Sequence, residues 1–343
     1  MRFPSVEEIF RDIYVEPGEE ARELALRYGY LPYMVERYIM MLGRDGAIQL
    51  LDSFEKPVKP VVRTNTVLIR PGELKKRLEK LGFRVREVEW APGSFRVIET
   101  PSSPTIGSTH EYLKGYYYVH RDVSSLLPVL LLLHNFTGDV LDACAAPGGK
   151  ATFMAQILAE KGNGVVYAND LVLRRLRTLV GHAMRLRLSN IVVLWSDARK
   201  LPRLLQGRLF KRALLDAPCS GEGRIMVDPG RKTRTTVLDL AILAKREIEL
   251  LYSILDLVEP GGIVAYSTCS IAPEENEYVV TKLMELREDV EIIDPPIRLF
   301  NYSPWLTEYG KHVFPGELSR CIRMWPHIQG SFGFTTCLLR RVG

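Results

Sequence analysis

The sequence predicts an α/β fold, with a doubly wound, Rossmann-like parallel sheet preceded by a smaller helical and α+β domain. From about residue 138 onward, short β-rich runs alternate with longer helical runs, as in consecutive βαβ units. The first of these strands leads into a turn of small residues that includes Gly148 and Gly149, and such turns bind ligands in doubly wound sheets. The length of 343 residues suffices for one large domain and a smaller one.

Residues 1–55 are predicted to be helical, because Met34, Tyr38 and Met41 recur at helical spacing and Gly43 is a candidate helix end. The pattern then changes to short alternating runs, with prolines and glycines marking the turns between them. This small α+β unit is predicted to hold strands at 61–68, 83–89 and 95–99 and a helix at 71–81.

The larger domain is expected to contain five parallel strands and a final antiparallel strand. The last run, 333–339, is expected to lie at or near the edge of the sheet. The parallel strands are predicted at 139–143, 164–169, 191–195, 212–217 and 262–268. The helices between and after them are predicted at 150–160, 174–187, 237–258 and 274–287.

The composition excludes several classes of protein. The longest apolar run, 126–133, is too short to span a bilayer, and the opening residues lack the apolar core of a signal peptide, so a cytoplasmic protein is expected. The five cysteines show no zinc-ligand spacing, so no metal site is expected and all five are expected to be free thiols. They are Cys144, Cys219, Cys269, Cys321 and Cys337.

Positive charge is concentrated in one stretch of the chain. Residues 172–234 contain 15 lysines and arginines against 4 acidic residues, whereas the first 136 residues are close to neutral. A basic stretch next to a nucleotide-type site favours a phosphate-backbone partner. A solvated basic helix face is the alternative, and charge by itself does not decide between the two.

A ligand-binding turn is predicted at 142–150, where the first strand of the large domain meets its helix. Small residues there let a ligand approach the backbone, and the helix N-terminus offers free amide groups. Cys144 and Ala151 occupy positions where a P-loop needs glycine and serine or threonine, so a P-loop is excluded. The spaced glycines of a dinucleotide site are also missing, which leaves a nucleoside site or a plain tight turn.

Two carboxylates favour the nucleoside ligand. Asp170 ends the second strand of the large domain and Asp197 follows the third. Ligands bind at the carboxyl ends of strands in such sheets, where an acidic side chain can bind ribose hydroxyls. Either residue alone could be a turn or cap residue. Together, and without any pyrophosphate-binding pattern, they favour S-adenosylmethionine.

Two cysteines end strands that are expected to be neighbours. The fourth strand of the large domain ends in Asp216-Ala-Pro-Cys219, and the fifth ends in Thr268-Cys269. Both thiols should therefore reach one sheet edge and face the cofactor site. A single cysteine there would be interpreted as packing. A matched pair, with Asp216 three residues before one member, indicates catalysis.

Methylation of carbon 5 of cytosine requires a nucleophile of this kind. Carbon 5 reacts with a sulfonium methyl group only after a thiolate has added to carbon 6, with ring nitrogen 3 protonated. A base must then remove the carbon 5 proton before the thiolate can leave. An ordinary cysteine is only a few per cent thiolate at neutral pH, so the site is expected to lower the pKa of the attacking thiol or to help remove its proton.

Motifs spread across most of the chain resemble those of the Sun-type family of S-adenosylmethionine-dependent RNA (cytosine-5) methyltransferases. DNA cytosine methyltransferases carry their nucleophile in the Pro-Cys motif alone, so the paired Pro-Cys and Thr-Cys motifs are specific. The resemblance implies a Rossmann-like methyltransferase domain at 121–343, preceded at 1–120 by an RNA-binding domain with a helical part and an RNA-recognition-like part. The motifs lie at 63–65, 124–125, 142–150, 169–170, 216–223, 266–270, 273–277 and 333–334.

The resemblance also implies roles for individual residues. Cys269 would be the nucleophile, Cys219 would assist elimination and product release, and Asp216 would contact the cytosine and the cofactor. Arg174 and Arg175 both match the family's basic position at the cofactor, and Arg175 is preferred. The cofactor site would comprise Cys144, Ala145, Ala146, Pro147, Gly148, Gly149, Lys150, Asp170, Arg175, Asp197 and Asp216.

RNA is the partner that the resemblance implies. Transfer RNA is favoured because the compact two-part chain resembles the archaeal tRNA enzymes, and ribosomal RNA is the alternative. Residues 116–118, three tyrosines, could stack a base or simply pack as an aromatic strand. We expect a monomer, in which Cys321 and Cys337 are packing residues. A non-enzymatic RNA-binding factor and a methyltransferase of DNA or small molecules are the competing interpretations, and the retained cysteine motifs count against both.

Overall fold

The computed structural model describes residues 2–343 and confirms the predicted α/β class. The N-terminal segment is helical, as predicted, and Gly43, with a φ of 70°, interrupts its third helix. No helix within residues 2–343 combines the length and apolar character that a membrane crossing requires. The first three helices are α1 (Val6–Ile13), α2 (Glu19–Tyr28) and α3 (Pro32–Phe54).

A small antiparallel sheet with one long helix forms the next unit. Its elements are β1 (Val61–Thr64), α4 (Pro71–Lys80), β2 (Arg84–Glu87), β3 (Ser94–Glu99), α5 (His110–Leu113) and β4 (Tyr117–His120). The strand order is β2-β3-β1-β4. Its core contains Leu74 and Leu78 of α4 against Val62, Phe95 and Tyr117 of the sheet. Tyr117 is fully buried there, so the packing interpretation of the three tyrosines is correct for this residue.

The larger domain is built on a nine-stranded mixed sheet. Its first half holds α6 (Leu127–Leu132), β5 (Val140–Asp142), α7 (Gly149–Glu160), β6 (Val166–Asp170), α8 (Leu173–Leu186), β7 (Ile191–Trp195) and α9 (Leu201–Leu204). The second half holds β8 (Phe210–Asp216), α10 (Arg231–Arg234), α11 (Val237–Leu255), β9 (Val258–Thr268), α12 (Glu277–Leu286) and β10 (Val290–Ile293). The chain ends with β11 (Ser303–Pro304), the hairpin β12 (Glu308–Tyr309) and β13 (His312–Val313), β14 (Ile322–Met324), α13 (Pro326–Gln329) and β15 (Phe334–Arg341).

The strand order positions the chemistry. It runs β11-β14-β15-β9-β8-β5-β6-β7, with β10 also beside β15, and the five strands from β9 to β7 in this order are parallel. Their carboxyl ends therefore share one edge. The last strand is antiparallel to β9, as predicted, but three short strands lie beyond it.

Alternate residues of the parallel strands supply two separate cores, one on each sheet face. Leu214 and Ala265 join the core that includes α6, α7 and α8. Leu215 and Tyr266 join the core that includes α11 and α12. Ile9 of α1 is fully buried in this second core, so the first helix packs on the large domain.

The expectation of five free thiols is wrong for two cysteines. Cys321 and Cys337 form a disulfide, and both are buried in the core, as expected of packing residues. Ile322 lies opposite Thr336 where β14 pairs antiparallel with β15, so the residue before β14 lies opposite Cys337. Strand register creates this pairing, and a sequence separation of 16 gives no sign of it.

Asn65 fastens the small sheet to the large domain, and its loss should destabilise the protein. The buried side-chain amide donates hydrogen bonds to the carbonyl oxygens of Gly115, at 2.9 Å, and Leu186, at 2.8 Å. Asn65→Ala leaves both carbonyls unpaired, and we expect the free energy of unfolding to fall by about 1–3 kcal/mol. Urea denaturation measures the change. Asn163→Ala, at an exposed position, is the control, and equal effects of the two substitutions would contradict the assignment.

Candidate active site

A cleft of about 960 Å³ runs along the carboxyl edge of the parallel strands. Its volume is near the upper end of the range for ligand pockets, which is roughly 300–1,000 Å³. Every residue expected at the site lines this cleft except Gly148, which lies behind the turn. The structure therefore brings the predicted site residues together in one cleft and adds the contacts among them.

The turn between β5 and α7 forms the floor of one half of the cleft. Gly148 has a φ of 108°, and a Cβ there would lie 3.1 Å from the side chain of Leu179, so this position requires glycine. The amide of Ala145 donates to the carbonyl oxygen of Asn169 at 2.7 Å, which ties the turn to β6. Burial raises the pKa of the Cys144 thiol, so this cysteine is a poor nucleophile at neutral pH.

Asp170 and Asp197 lie where the sequence placed them, at the ends of β6 and β7. Asp170 is buried, and its carboxylate accepts the amide of Ala146 at 3.1 Å and pairs with Arg175 at 3.4 Å. Arg175 lines the cleft, whereas Arg174 is absent from its lining, so of the two arginines only Arg175 reaches the candidate site.

Hydrogen bonds from Arg199 fix the position of the Asp197 carboxylate. The carboxylate accepts the amide of Arg199 at 3.0 Å and forms an ion pair with the Arg199 guanidinium at 2.7 Å. These hydrogen bonds lower the pKa of Asp197 and keep the carboxylate charged. The guanidinium also pairs with Glu249 of α11, which fixes this wall of the cleft to the adjacent helix.

The two catalytic candidates meet at the ends of neighbouring strands. β8 and β9 are parallel, with Asp216 opposite Ser267, so the loops that follow them leave the sheet side by side. The sulfur atoms of Cys219 and Cys269 lie 3.3 Å apart, within hydrogen-bond distance for thiols. A hydrogen bond from Cys219 lowers the pKa of Cys269, and the same bond raises the pKa of Cys219. Cys269 is therefore the thiol that ionises first.

A buried carboxyl group holds the two cysteine loops together. Glu275 accepts the backbone amide and the hydroxyl of Ser220, both at 2.6 Å. The Ser220 hydroxyl also lies 3.3 Å from that of Ser270, so the residues that follow the two cysteines are bridged directly. The hydroxyl of Tyr266 donates to the Glu275 carbonyl at 2.6 Å. The sequence marked 273–277 as a family motif but assigned Glu275 no role.

The N-terminal helix α3 supplies a second clamp on the same loops. The Arg37 guanidinium contacts Glu222, three residues after Cys219, at 2.5 Å, and Glu274 at 2.9 Å. All three charged side chains are at most 3% exposed. Sequence reasoning missed this residue, although a lone arginine between Met34 and Tyr38 on the apolar face of a helix is a sign of a buried ion pair.

Close packing of two glycines closes the Cys219 loop. The amide of Gly333 donates to the carbonyl oxygen of Gly223 at 2.9 Å, and the amide of Gly223 donates to that of Cys269 at 3.0 Å. A Cβ on Gly223 would lie 2.0 Å from the Gly333 carbonyl oxygen, so no side chain fits. A Cβ on Gly333 would lie 2.9 Å from the Cα of Gly223, which explains why the motif before the last strand also contains glycine.

Charged groups lie in the middle of the cleft, between the side that holds Asp170 and Asp197 and the side that holds the two cysteines. Lys150 pairs with Asp216 at 2.7 Å, and the hydroxyl of Ser267 donates to the other Asp216 oxygen at 3.1 Å. Asp142, which the sequence did not single out, is fully buried at the end of β5 and lines the cleft. Neither of its oxygens has a hydrogen-bond partner within residues 2–343, and burial raises its pKa to about 8.

Comparison with known proteins identifies the relatives of this chain. Residues 129–340 match the family described as 16S rRNA methyltransferase RsmB/F. The human 28S rRNA (cytosine(4447)-C(5))-methyltransferase is 35% identical over 318 residues, which is 91% of this chain and 38% of that protein. The 25S rRNA (cytosine-C(5))-methyltransferase nop2 of Schizosaccharomyces pombe is 31% identical over 340 residues, 95% of this chain and 55% of that protein. The chain thus spans less than two thirds of these curated relatives.

A solved structure has the same fold over nearly the whole chain. The crystal structure of a methyltransferase homolog protein from Pyrococcus horikoshii matches with a TM-score of 0.82 and 33% identity, over 95% of this chain and all of that one. The fold is thus that of a Rossmann-like methyltransferase. The chain belongs to the RsmB/F family, which confirms the resemblance to the Sun-type RNA cytosine-5 methyltransferases.

Removal of the Arg37 guanidinium should lower the stability of the folded protein. In Arg37→Gln, the carboxyl groups of Glu222 and Glu274 stay buried without their cation, and we expect the free energy of unfolding to fall by about 3–5 kcal/mol. Arg44→Gln, a substitution on the same helix as Arg37, removes an exposed ion pair with Glu20 of α2. Its effect on the free energy of unfolding should stay within about 1 kcal/mol. Urea denaturation of both variants measures the free energy of unfolding. If it falls no further in Arg37→Gln than in Arg44→Gln, the buried cluster does not hold the loops together.

The hydrogen bond between the two thiols should be visible in the pH dependence of alkylation. Thiolate forms as the pH rises past the pKa, so the lowered pKa of Cys269 places its alkylation midpoint below the ordinary value of about 8.5. In Cys219→Ala the donor is lost, and the midpoint should move to higher pH. Mass spectrometry after timed iodoacetamide treatment measures the rate at Cys269. Cys144→Ala controls for loss of another thiol, and identical midpoints in wild type and Cys219→Ala would refute the pairing.

Proposed function

We propose that this protein methylates carbon 5 of a cytosine in RNA, with S-adenosylmethionine as methyl donor and Cys269 as the attacking nucleophile. The observation that carries the proposal is the pair of thiols 3.3 Å apart, at the ends of adjacent strands, inside one cleft with a nucleoside-type site. The pair suits this chemistry, because one thiol can attack the base while the other assists release of the product.

The cleft fits S-adenosylmethionine in several respects. The glycine turn lets a ligand approach the backbone, and the carboxylates of Asp170 and Asp197 lie at successive strand ends, where ribose hydroxyls and an adenine ring are held in such folds. The buried and unpartnered carboxyl group of Asp142 offers an acceptor for a donor group of the ligand. When bound, S-adenosylmethionine supplies an electrophilic methyl group.

The residues of the chain account for the remaining steps. Cys269, as thiolate, adds to carbon 6 of the cytosine, and carbon 5 becomes nucleophilic. After methylation a base takes the carbon 5 proton, and the electron pair of that C–H bond forms the double bond between carbons 5 and 6. The bond between sulfur and carbon 6 breaks at the same time, and its electron pair returns to sulfur as the Cys269 thiolate. Cys219 then lies within 3.3 Å to donate a hydrogen bond to the departing sulfur. Asp216, oriented by Lys150 and Ser267, is placed to hold the cytosine ring.

The proposed substrate is RNA, bound by a monomer in the cytoplasm. The named relatives are methyltransferases of ribosomal RNA, which favours ribosomal RNA over the transfer RNA that the compact chain suggested. Residues 1–120 are proposed to guide the RNA backbone, since Tyr118, Val119 and His120 of the last strand of the small sheet line the cleft. The target base must leave its stack, at a cost of a few kcal/mol that the phosphate contacts offset.

Substitution of each cysteine should give a different outcome. With labelled S-adenosylmethionine and total RNA, Cys269→Ala should reduce 5-methylcytosine to background, because no adduct can form. Cys219→Ala should still attack but release slowly, and a covalent protein–RNA adduct should accumulate on denaturing gels. Unchanged 5-methylcytosine formation by Cys269→Ala would remove Cys269 as nucleophile.

The same assay identifies the RNA. Fractionated ribosomal and transfer RNA from a strain that lacks the gene serve as separate substrates, and bisulfite sequencing locates the modified cytosine. Product in the ribosomal fraction supports the substrate class favoured here, and product confined to transfer RNA overturns it. Absence of product in both fractions, together with no binding of S-adenosylmethionine by calorimetry, would favour a non-enzymatic RNA-binding protein.

A further inference from the structure

Seven cationic side chains line the cleft, and ion pairing divides them into two groups. Four of them pair with carboxylates: Lys150 with Asp216, Arg175 with Asp170, Arg199 with Asp197 and Glu249, and Arg231 with Asp228. The other three, Arg121, Arg224 and Arg246, form neither an ion pair nor a side-chain hydrogen bond within residues 2–343. The unpaired charges are therefore free to neutralise an anion from outside the protein.

Two of the three unpaired arginines, Arg224 and Arg121, lie on the cysteine side of the cleft. Arg224 follows Cys219 by five residues, and its guanidinium lies 5.9 Å from the centre of the Phe332 ring. Its charge also lowers the pKa of Cys269, which places it close to the reacting sulfur. Arg121 reaches the same wall, because the adjacent Asp122 accepts the backbone amide of Phe332 at 3.0 Å.

Arg246 stands on a different wall. It lies on α11 four residues before Leu250, which also lines the cleft, so both project from one helix face toward it. Glu249, three residues further along α11 than Arg246, pairs with Arg199 at 2.8 Å, so this part of the helix forms the wall of the cleft beside Asp197. Arg246 itself is exposed, as is Arg121, and Arg224 is half-buried. Unpaired positive charge is thus present on separate walls of the cleft.

We propose that Arg121, Arg224 and Arg246 form a phosphate clamp that holds the RNA backbone on both sides of the target cytidine. This rests on the proposed function, since it is RNA that brings phosphates to the cysteines. A nucleotide extruded into the cleft carries one phosphate on each side, and the positions on two walls match this requirement. Arginine suits the task because its planar guanidinium donates two hydrogen bonds to a phosphate.

The pairing pattern separates this clamp from the cofactor site. The paired cations Arg175 and Arg199 hold the carboxylates Asp170 and Asp197 at the strand ends where the nucleoside is proposed to bind. A dissociable cofactor of low net charge needs no uncompensated cations, whereas a polyanion does. The clamp also refines the basic stretch at 172–234: only Arg224 of the three belongs to it, and Arg121 and Arg246 come from segments without excess positive charge in sequence.

The salt dependence of RNA binding tests the clamp without requiring catalysis. Each of Arg121→Gln, Arg224→Gln and Arg246→Gln is titrated against a fluorescein-labelled single-stranded RNA that contains one cytosine, over a series of KCl concentrations. Each lost phosphate contact should reduce the slope of log affinity against log salt by about 0.7, and the triple variant should lose about 2. Arg→Lys at the same positions keeps the charge and should retain most of the slope.

Controls distinguish the clamp from a general charge effect and from a failed proposed function. Lys211→Gln removes an exposed cation at the amino end of β8, on the opposite edge of the sheet, and should leave the slope unchanged. Calorimetric binding of S-adenosylmethionine should be unaffected in all three arginine variants. An unchanged slope in the triple variant overturns the clamp, even if the wild type methylates RNA. A reduced slope with no methylation by the wild type would retain the clamp and overturn the proposed activity.

Discussion

The site depends on keeping two loops from different strands at a fixed separation. Hydrogen bonding alone between Cys219 and Cys269 could not do this, because thiols are weak donors and acceptors. Glu275, on the loop after Cys269, binds Ser220 on the loop after Cys219, and the Ser220 hydroxyl also contacts that of Ser270. Arg37 joins the glutamates slightly further along each loop. Breaking such buried polar contacts costs several kcal/mol, so the loops cannot drift apart without exposing charge.

This constraint gives the N-terminal helices a structural task. α3 brings Arg37 to the catalytic loops, and α1 adds Ile9 to the core beside α11. The small sheet has its own core and meets the large domain through contacts such as those of Asn65. Residues before the cleft therefore do two things: the helices hold the cysteine loops, and the sheet extends the surface beside them.

Electrostatics divides the cleft in a similar way. Carboxylates neutralise the cleft-lining cations Lys150, Arg175 and Arg199, whereas Arg121, Arg224 and Arg246 have no carboxylate partner within residues 2–343. Positive charge near Cys269 favours its thiolate, and so does the hydrogen bond from Cys219. The same positive potential that lowers the pKa of Cys269 would also attract a polyanion, because both effects follow from unpaired cations in a partly closed cleft.

The sequence was informative where a property is local. Strand and helix positions agreed with the structure to within a few residues, because apolar periodicity, glycines and prolines act on neighbouring residues. The strand at 61–68, which ends at Thr64, was predicted too long because its apolar residues continue into a turn. Contacts between distant segments were missed: the clamp of Arg37, the bridge through Glu275 and the disulfide of Cys321 with Cys337. Each joins residues that only strand order and register bring together.

By itself, the sequence determined the α/β class, the succession of strands, and the motif residues at the strand ends, because these follow from short-range patterns and from the rule that ligands bind at carboxyl edges. It placed Cys219 and Cys269 on one edge. Only the tertiary structure decided that their sulfurs touch, that one pKa falls as the other rises, and which arginines remain without a carboxylate. Those properties depend on distances and burial, and a distance between remote residues is fixed by packing and has no counterpart in a linear pattern.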